Sequence, residues 1–277
     1  MTSKQDRSAT IGAHDISLAA QGELVPTGRL RVGVVAAPAA SALFVTMDEG
    51  TGSYRGVTVD LAEELARQLD VTVAVIGFPN SGACTDALES GMIDMSFMPV
   101  DDERRKRVAF GPAYYRLEST YLVSAASGIV DLAGVDREGM RIVGIANTTT
   151  IRSAARSLRH TTPVAVSTIG EAVESLRNGK ADALALSRDA FRTLLPLLPG
   201  AQVLDGGFQQ TGIAIAVRRD KPAALALASR FIENAKASGL VRRALDTAGF
   251  ADEPVAPAEK VFPEADAAAL LKEVDKI

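Results

Sequence analysis

The chain is poor in the residues that carry the commonest protein chemistry. It has a single cysteine, Cys84, so no internal disulfide and no cysteine-built zinc site can form. Two histidines, His14 and His160, are too few for a histidine-rich metal centre. Tryptophan is absent and aromatics reach only 5%, which argues against a broad stacking platform for sugars or bases. No apolar run approaches the roughly 18 residues of a membrane-spanning helix. Charge of one sign is lacking as well. Thirty Lys and Arg stand against 34 Asp and Glu, a net charge of −4, and a generic polyanion binder would be clearly basic. What is there is an ordinary globular composition, 47% hydrophobic and 23% charged. At about 150 residues per domain, 277 residues make room for two.

Residues 1–27 are polar and without clear periodicity, and read as a loosely packed lead-in. They hold no hydrophobic secretory segment, so either the chain is cytoplasmic or its signal is not part of this sequence. Order begins at the β-branched run Arg29–Val35, a buried strand. The cluster Asp48–Gly56 is a surface turn; it lacks the Lys-Ser/Thr of a phosphate-binding loop. Leu61, Leu65 and Leu69 recur on one helical face across Val59–Leu69, and Asp60 with Glu63 resembles a capping box. Strand Val71–Ile76, helix Thr85–Ser90 and strand Met92–Met98 follow. Strand–helix–strand–helix–strand implies parallel pairing with crossover helices.

The design then repeats. Strand Met140–Ala146, helix Thr148–Arg159, strand Val164–Val166, helix Ile169–Arg177 and strand Ala181–Leu186 retrace it. Glu89–Asp94 and Arg177–Asp182 hold the same place in the two halves: helix end, glycine stop, Asp at the strand start. Strand Gly212–Val217, helices Ala223–Ser238 and Val241–Ala248, and an amphipathic tail helix Pro263–Ile277 complete the reading.

Taken together, these blocks resemble the family 3 extracellular solute-binding proteins, the polar-amino-acid receptors of ABC importers with a type 2 periplasmic-binding fold. The carrying segments are Gly28-Arg-Leu-Arg-Val-Gly-Val34, Gly56-Val-Thr-Val-Asp-Leu-Ala62, Ala87-Leu-Glu-Ser-Gly-Met-Ile-Asp94 and the stretch Asp102–Tyr115. In the second half they are Val143-Gly-Ile-Ala-Asn-Thr-Thr-Thr150, Glu171–Asp182 and Gly212–Arg218. The resemblance spans about Gly28 to Phe250, and the order and spacing of the segments carry it. It implies an α/β fold of two Rossmann-like lobes joined by two hinge crossovers, Ser119–Ala125 and Ile213–Val217. Lobe 1 would be discontinuous (28–121 and 217–250), lobe 2 would cover 122–216, and 251–277 would form the tail.

The resemblance also implies a site. Arg104, before Phe110-Gly-Pro-Ala-Tyr114, matches the ligand arginine, whose guanidinium fork takes a carboxylate bidentately. Arg105 is the neighbouring competitor, and a solvated basic run 104–107 is the plain alternative. Asn147, Thr148 and Thr149 match a turn at a helix N-terminus that holds the ligand carboxylate, with Thr148 where the family has glycine; an ordinary threonine N-cap is the alternative. Ser187 stands where the family places an ammonium-pairing Asp, with Asp189 close by. The family's Thr-Pro-Glu-Arg reads Asp101-Asp102-Glu103-Arg104. These departures point to a carboxylate bound without a dedicated amine partner. Phe44, Phe78 and Tyr115 are candidates for the pocket wall, against core or rim packing.

The leading expectation is therefore a non-enzymatic, monomeric periplasmic receptor for a small carboxylate-bearing solute, an amino acid or related organic acid. It would work with an ABC permease, without cofactor, metal, nucleic acid or membrane insertion. The alternatives are an enzyme on the same scaffold, resembling cyclohexadienyl dehydratase with Glu118 as general acid, and a cytoplasmic ligand-sensing module. Cys84 reads as structural, since no histidine stands near it in sequence to activate a thiolate, and His160 as a helix-end residue.

Overall fold

In the computed structural model, residues 17–36, 44–48 and 50–259 are described. The tail helix predicted at Pro263–Ile277 and His14 lie outside them. The N-terminal half runs α1 (Leu18–Leu24), β1 (Arg29–Val35), the hairpin β2 (Thr46–Met47) and β3 (Tyr54–Arg55), α2 (Val57–Gln68), β4 (Thr72–Phe78), α3 (Ser81–Glu89), β5 (Met95–Pro99) and α4 (Asp102–Arg105). The long β6 (Val108–Val123) leads to α5 (Leu132–Val135), β7 (Ile142–Ile145), α6 (Thr149–Ser157), β8 (Val164–Val166), α7 (Ile169–Arg177), β9 (Ala183–Ser187), α8 (Phe191–Leu194) and β10 (Gln202–Val203). The chain returns through β11 (Gln209–Arg218) to α9 (Pro222–Ala237) and α10 (Leu240–Thr247).

The strand order β4-β1-β5-β11-β6-β9-β7-β8 shows the duplication. β4, β1 and β5 are parallel, as are β8, β7 and β9, each trio linked by crossover helices. Each trio is bordered by one antiparallel strand, β11 on β5 and β6 on β9. Two Rossmann-like lobes imply a sheet each, yet the hydrogen-bond ladder is unbroken. The reason is that β6 and β11 pair with each other from Val108–Arg218 to Ser119–Gln209, carrying the ladder from one half to the other, with register shifts at Ile213/Ala214/Ala216.

Side-chain burial, by contrast, splits in two. Leu24, Leu30, Val32, Leu61, Leu65, Ile213, Ile215, Phe231 and Leu245 form one cluster of the first half, and Cys84, Leu88, Ile93 and Met98 another. Leu122, Val143, Leu184 and Phe191 on one face, and Tyr121, Ile142 and Ala185 on the other, form the interior of the second half. Within the expected crossovers, Ser119–Val123 pair with β9 and Ile213–Val217 pair with β5.

Local chemistry explains the elements. Helices α3 and α7 end on Gly91 and Gly179, both at positive φ, which satisfies the last carbonyls at no Cβ cost. Their partners Asp94 and Asp182 then clasp the strand beside them. The Asp94 carboxylate accepts from the N–H, Nε and Nη2 of Arg31 at 2.8, 2.9 and 2.5 Å. The Asp182 carboxylate accepts from the same three groups of Arg141 at 2.9, 3.0 and 2.6 Å.

Two expectations fail. Residues 18–24 are a helix, not loose chain: Ser17 caps it, Ala20 and Leu24 are buried, and Glu23 Oε2 accepts from Ala223 N and Ala224 N at 2.8 and 3.0 Å. Those are the unpaired N–H groups at the start of α9, which has no side-chain cap of its own. The capping box is absent as well. Helix α2 begins at Val57 after Gly56, which leaves Asp60 inside the helix, its carboxyl pushed up first by burial and then by Glu63. The Asp48 turn is the expected surface loop, its carboxylate accepting from Gly50 N and Thr51 N.

Candidate ligand-binding cleft

The carboxyl ends of β1 and β5 face the start of α6 and the end of β9, the place where open parallel sheets bind ligands. A cavity of about 150 Å³ lies between them. Val35, Phe44, Phe97, Pro99, Leu117, Ile169, Leu186 and Ala190 give it apolar walls. Its polar groups are Ser81, Thr148–Thr150, Ser187 and Asp189. Ser187 ends β9 and Asp189 sits in the turn that follows it; both line the cavity and both are buried.

Arg104 lies behind this wall and is 4% exposed. The turn that presents it begins at Asp101, whose carboxylate accepts from Arg104 N at 3.0 Å and caps α4. Arg104 Nη1 donates to Pro99 O at 2.8 Å and to Thr149 Oγ1 at 2.9 Å, which uses both its hydrogens. Nη2 donates to Ser81 Oγ at 2.6 Å and reaches Asn147 O at 3.5 Å. Thr149 in turn donates to Asp101 Oδ2 at 2.8 Å, and that oxygen stands 3.4 Å from Arg104 Nη1 and pairs with Arg152. Burial, opposed by Asp101, lowers the Arg104 guanidinium to about 10, so it stays charged at neutral pH. Burial alone would raise the Asp101 carboxyl; the hydrogen bonds from Arg104 N and Thr149 and the charges of Arg104 and Arg152 hold it below the ordinary range.

The lobe-2 side is a turn followed by a helix start. Asn147 takes φ 60°, a conformation asparagine tolerates better than most residues. Thr148 is the N-cap of α6, accepting from Ile151 N at 3.3 Å. On the far side of Arg104 a groove of about 430 Å³ opens between Asn80, Glu103, Arg107, Asn147 and Arg152.

Residues 33–248 match the family described as bacterial extracellular solute-binding proteins, family 3. The chain belongs to that family. Among solved structures, a mutant of ArgBP from T. maritima is 25% identical with a TM-score of 0.69, covering 82% of this chain and 98% of its own. An ancestral amino acid-binding protein, AncCDT-1, titled a precursor of cyclohexadienyl dehydratase, is 24% identical with a TM-score of 0.69, covering 81% and 97%. A putative binding component of an ABC transporter from Wolinella succinogenes, complexed with lysine, is 22% identical with a TM-score of 0.70, covering 80% and 95%. No curated protein sequence matches the chain. The fold of this solute-binding protein is that of the type 2 periplasmic binding proteins.

Of the residues predicted for the site, Arg104, Asn147 and Thr149 meet in one hydrogen-bonded cluster, and Phe44, Thr148 and Ser187 line the cavity with Thr149. Two predicted wall residues lie elsewhere. Phe78 packs toward Cys84 and Ile93. Tyr115 is buried, donates to Glu253 Oε2 at 3.0 Å and faces a second cavity of about 440 Å³ near the crossovers. Glu118 lines that second cavity and accepts from Arg188 Nε at 2.5 Å. Arg105 turns outward beside Phe110, its guanidinium carbon 5.8 Å from the ring centre. Burial pushes the Cys84 thiol up to about 12, with Ser96 and Arg104 opposing, so a thiolate does not form at neutral pH. His160 is exposed, past the end of α6. Sequence reasoning missed Arg152 and the bonding of Asp101. The available signal was spacing: Arg152 stands three residues beyond Thr149, on its face of the helix.

Proposed function

We propose that this chain is the substrate-binding component of an ABC-type importer. It acts as a periplasmic monomer on a small carboxylate-bearing solute, without catalysis or cofactor. Among the described residues no helix is long and apolar enough to cross a membrane. In this reading transport itself falls to a separate permease. The observation that carries the reading is Arg104, buried and charged between the two halves and bonded on one side to Ser81 and Pro99, on the other to Thr149. A guanidinium at the start of a helix is a carboxylate site. We take the lobes as 28–118 with 213–250, and 119–212, a shift of a few residues from the sequence boundaries that follows the strand pairing.

A small solute suits the cavity of about 150 Å³, below the ~300–1,000 Å³ usual for ligand pockets, while Arg104 itself lines the adjoining groove of about 430 Å³. Asp189 turns the reading toward an amino acid. The missing charge at Ser187 argues against amine recognition, but Asp189 supplies a carboxylate in the same wall. A desolvated ammonium needs such a partner.

A calorimetric panel pairing small amino acids with their deaminated analogues tests both points. Amino acids should win by tenfold or more, 1.4 kcal/mol; parity removes Asp189 from the site. Arg104→Ala should cost about 2–5 kcal/mol of binding, roughly 30- to several-thousand-fold in Kd. A change under about threefold, in a variant shown by its melting curve to be folded, sinks the carboxylate role of Arg104.

A further inference from the structure

Two arginines and a threonine from both halves converge on one carboxylate of the protein itself. Asp101 Oδ2 accepts from Thr149 Oγ1 at 2.8 Å, pairs with Arg152 and lies 3.4 Å from Arg104 Nη1. Arg104 and Asp101 belong to the N-terminal half, Thr149 and Arg152 to helix α6 of the other. Both hydrogens of Arg104 Nη1 and both roles of the Thr149 hydroxyl, donor and acceptor, are in use within this cluster. The groups that would take a ligand's carboxylate are thus holding one already.

We propose that Asp101 is a built-in counter-carboxylate, which closes the two halves on each other without ligand and competes with an incoming acid for Arg104 and Thr149. The inference rests on reading this cluster as the carboxylate end of the cleft. It adds a selectivity rule to that reading. A bare carboxylate gains little by displacing a tethered one, because the tether makes Asp101 an intramolecular competitor. A ligand succeeds through its other contacts, the apolar wall of Phe44, Phe97 and Ile169 and the acid at Asp189. Without Asp101, Arg104 and Arg152 would face each other as like charges, which favours separation until an acid from outside joins them.

The test compares wild type with Asp101→Asn, which keeps an N-cap acceptor for α4, and with Arg152→Ala, which removes the far partner and leaves Arg104 untouched. The first readout is small-angle X-ray scattering without ligand; the second is calorimetry with L-alanine and propionate. Both variants should be more open than wild type when empty, and Asp101→Asn should bind propionate at least tenfold more tightly. The tenfold gap between L-alanine and propionate should narrow in Asp101→Asn. If both variants keep the wild-type scattering profile and Asp101→Asn binds propionate within threefold of wild type, or more weakly, the counter-carboxylate role is wrong. Opening of the empty variants with no binding of either probe by any form leaves the latch standing and removes the carboxylate reading. Loss of L-alanine binding in Arg104→Ala, with both Asp101→Asn readouts unchanged, does the reverse.

Discussion

The two halves are fastened at the same point by the same device, in different surroundings. Arg31–Asp94 and Arg141–Asp182 share a geometry of three hydrogen bonds, and each Asp N–H returns a bond of 2.8 Å to the arginine carbonyl. In the N-terminal half the side chains are 19% and 3% exposed, in the other 53% and 13%. Equal geometry does not mean equal stabilisation. An ion pair in water is worth little, whereas an unpaired charge left in a buried place is expensive. The duplication conserved a shape, and burial decides what the shape is worth.

The largest effect should follow Asp94→Asn, which leaves the partly buried Arg31 guanidinium without its ion-pair partner; about 2 kcal/mol of unfolding free energy should disappear in a urea titration. Asp182→Asn should cost about 1 kcal/mol, since Arg141 is half in solvent. Equal losses at the two sites would break the comparison. A pH series sharpens it. The Asp182 carboxyl is held below its usual range first by the Arg141 guanidinium, against burial, and further by the Arg141 N–H and charge. A depressed pKa stabilises the fold above the unfolded value, about 3.9, and that contribution is lost as pH falls through the folded value. The melting-temperature gap between wild type and Asp182→Asn should be full at about pH 6 and close below about pH 4; a gap independent of pH means the loss is not electrostatic. The smallest effect concerns the helix that only the N-terminal half possesses. Glu23→Gln should lower stability by about 0.5 kcal/mol, because the amide still accepts from Ala223 and Ala224 but no longer opposes the α9 dipole. A loss above about 2 kcal/mol would make Glu23 a core anchor, not a cap.

Repeated strands and helices were legible because each half is written in short, periodic segments. Arg29–Val35, Val164–Val166 and Ile169–Arg177 are found where the residues put them. The 16-residue β6 was not: Gly111 and Pro112 interrupt its alternation and Arg116 and Glu118 its apolar run, so only its end was expected as extended chain, in the crossover Ser119–Ala125. Helix α1 was missed for the opposite reason: seven residues around Gly22 show too little periodicity, and its order comes from α9, far along the chain. At the site, Arg104 and Thr149 were reachable through the motif each sits in. Their bonding was not. Asp101 read as a change of loop chemistry, and nothing in a linear sequence shows that its carboxylate meets Arg152 and Thr149 from the other half.

Glu23 and Ala223 are separated by 200 positions, and that distance sets an order of assembly. In the proposed lobes the second is one continuous stretch, 119–212, whereas the first waits for the end of β11, α9 and α10 at the far end of the described chain. Whether the chain emerges from a ribosome or across a membrane, the segment that emerges first is therefore completed last. Strand β1 must remain without β11's completed sheet, and α1 without its docking helix, until the middle of the protein has emerged and had time to fold around Leu122, Leu184 and Phe191.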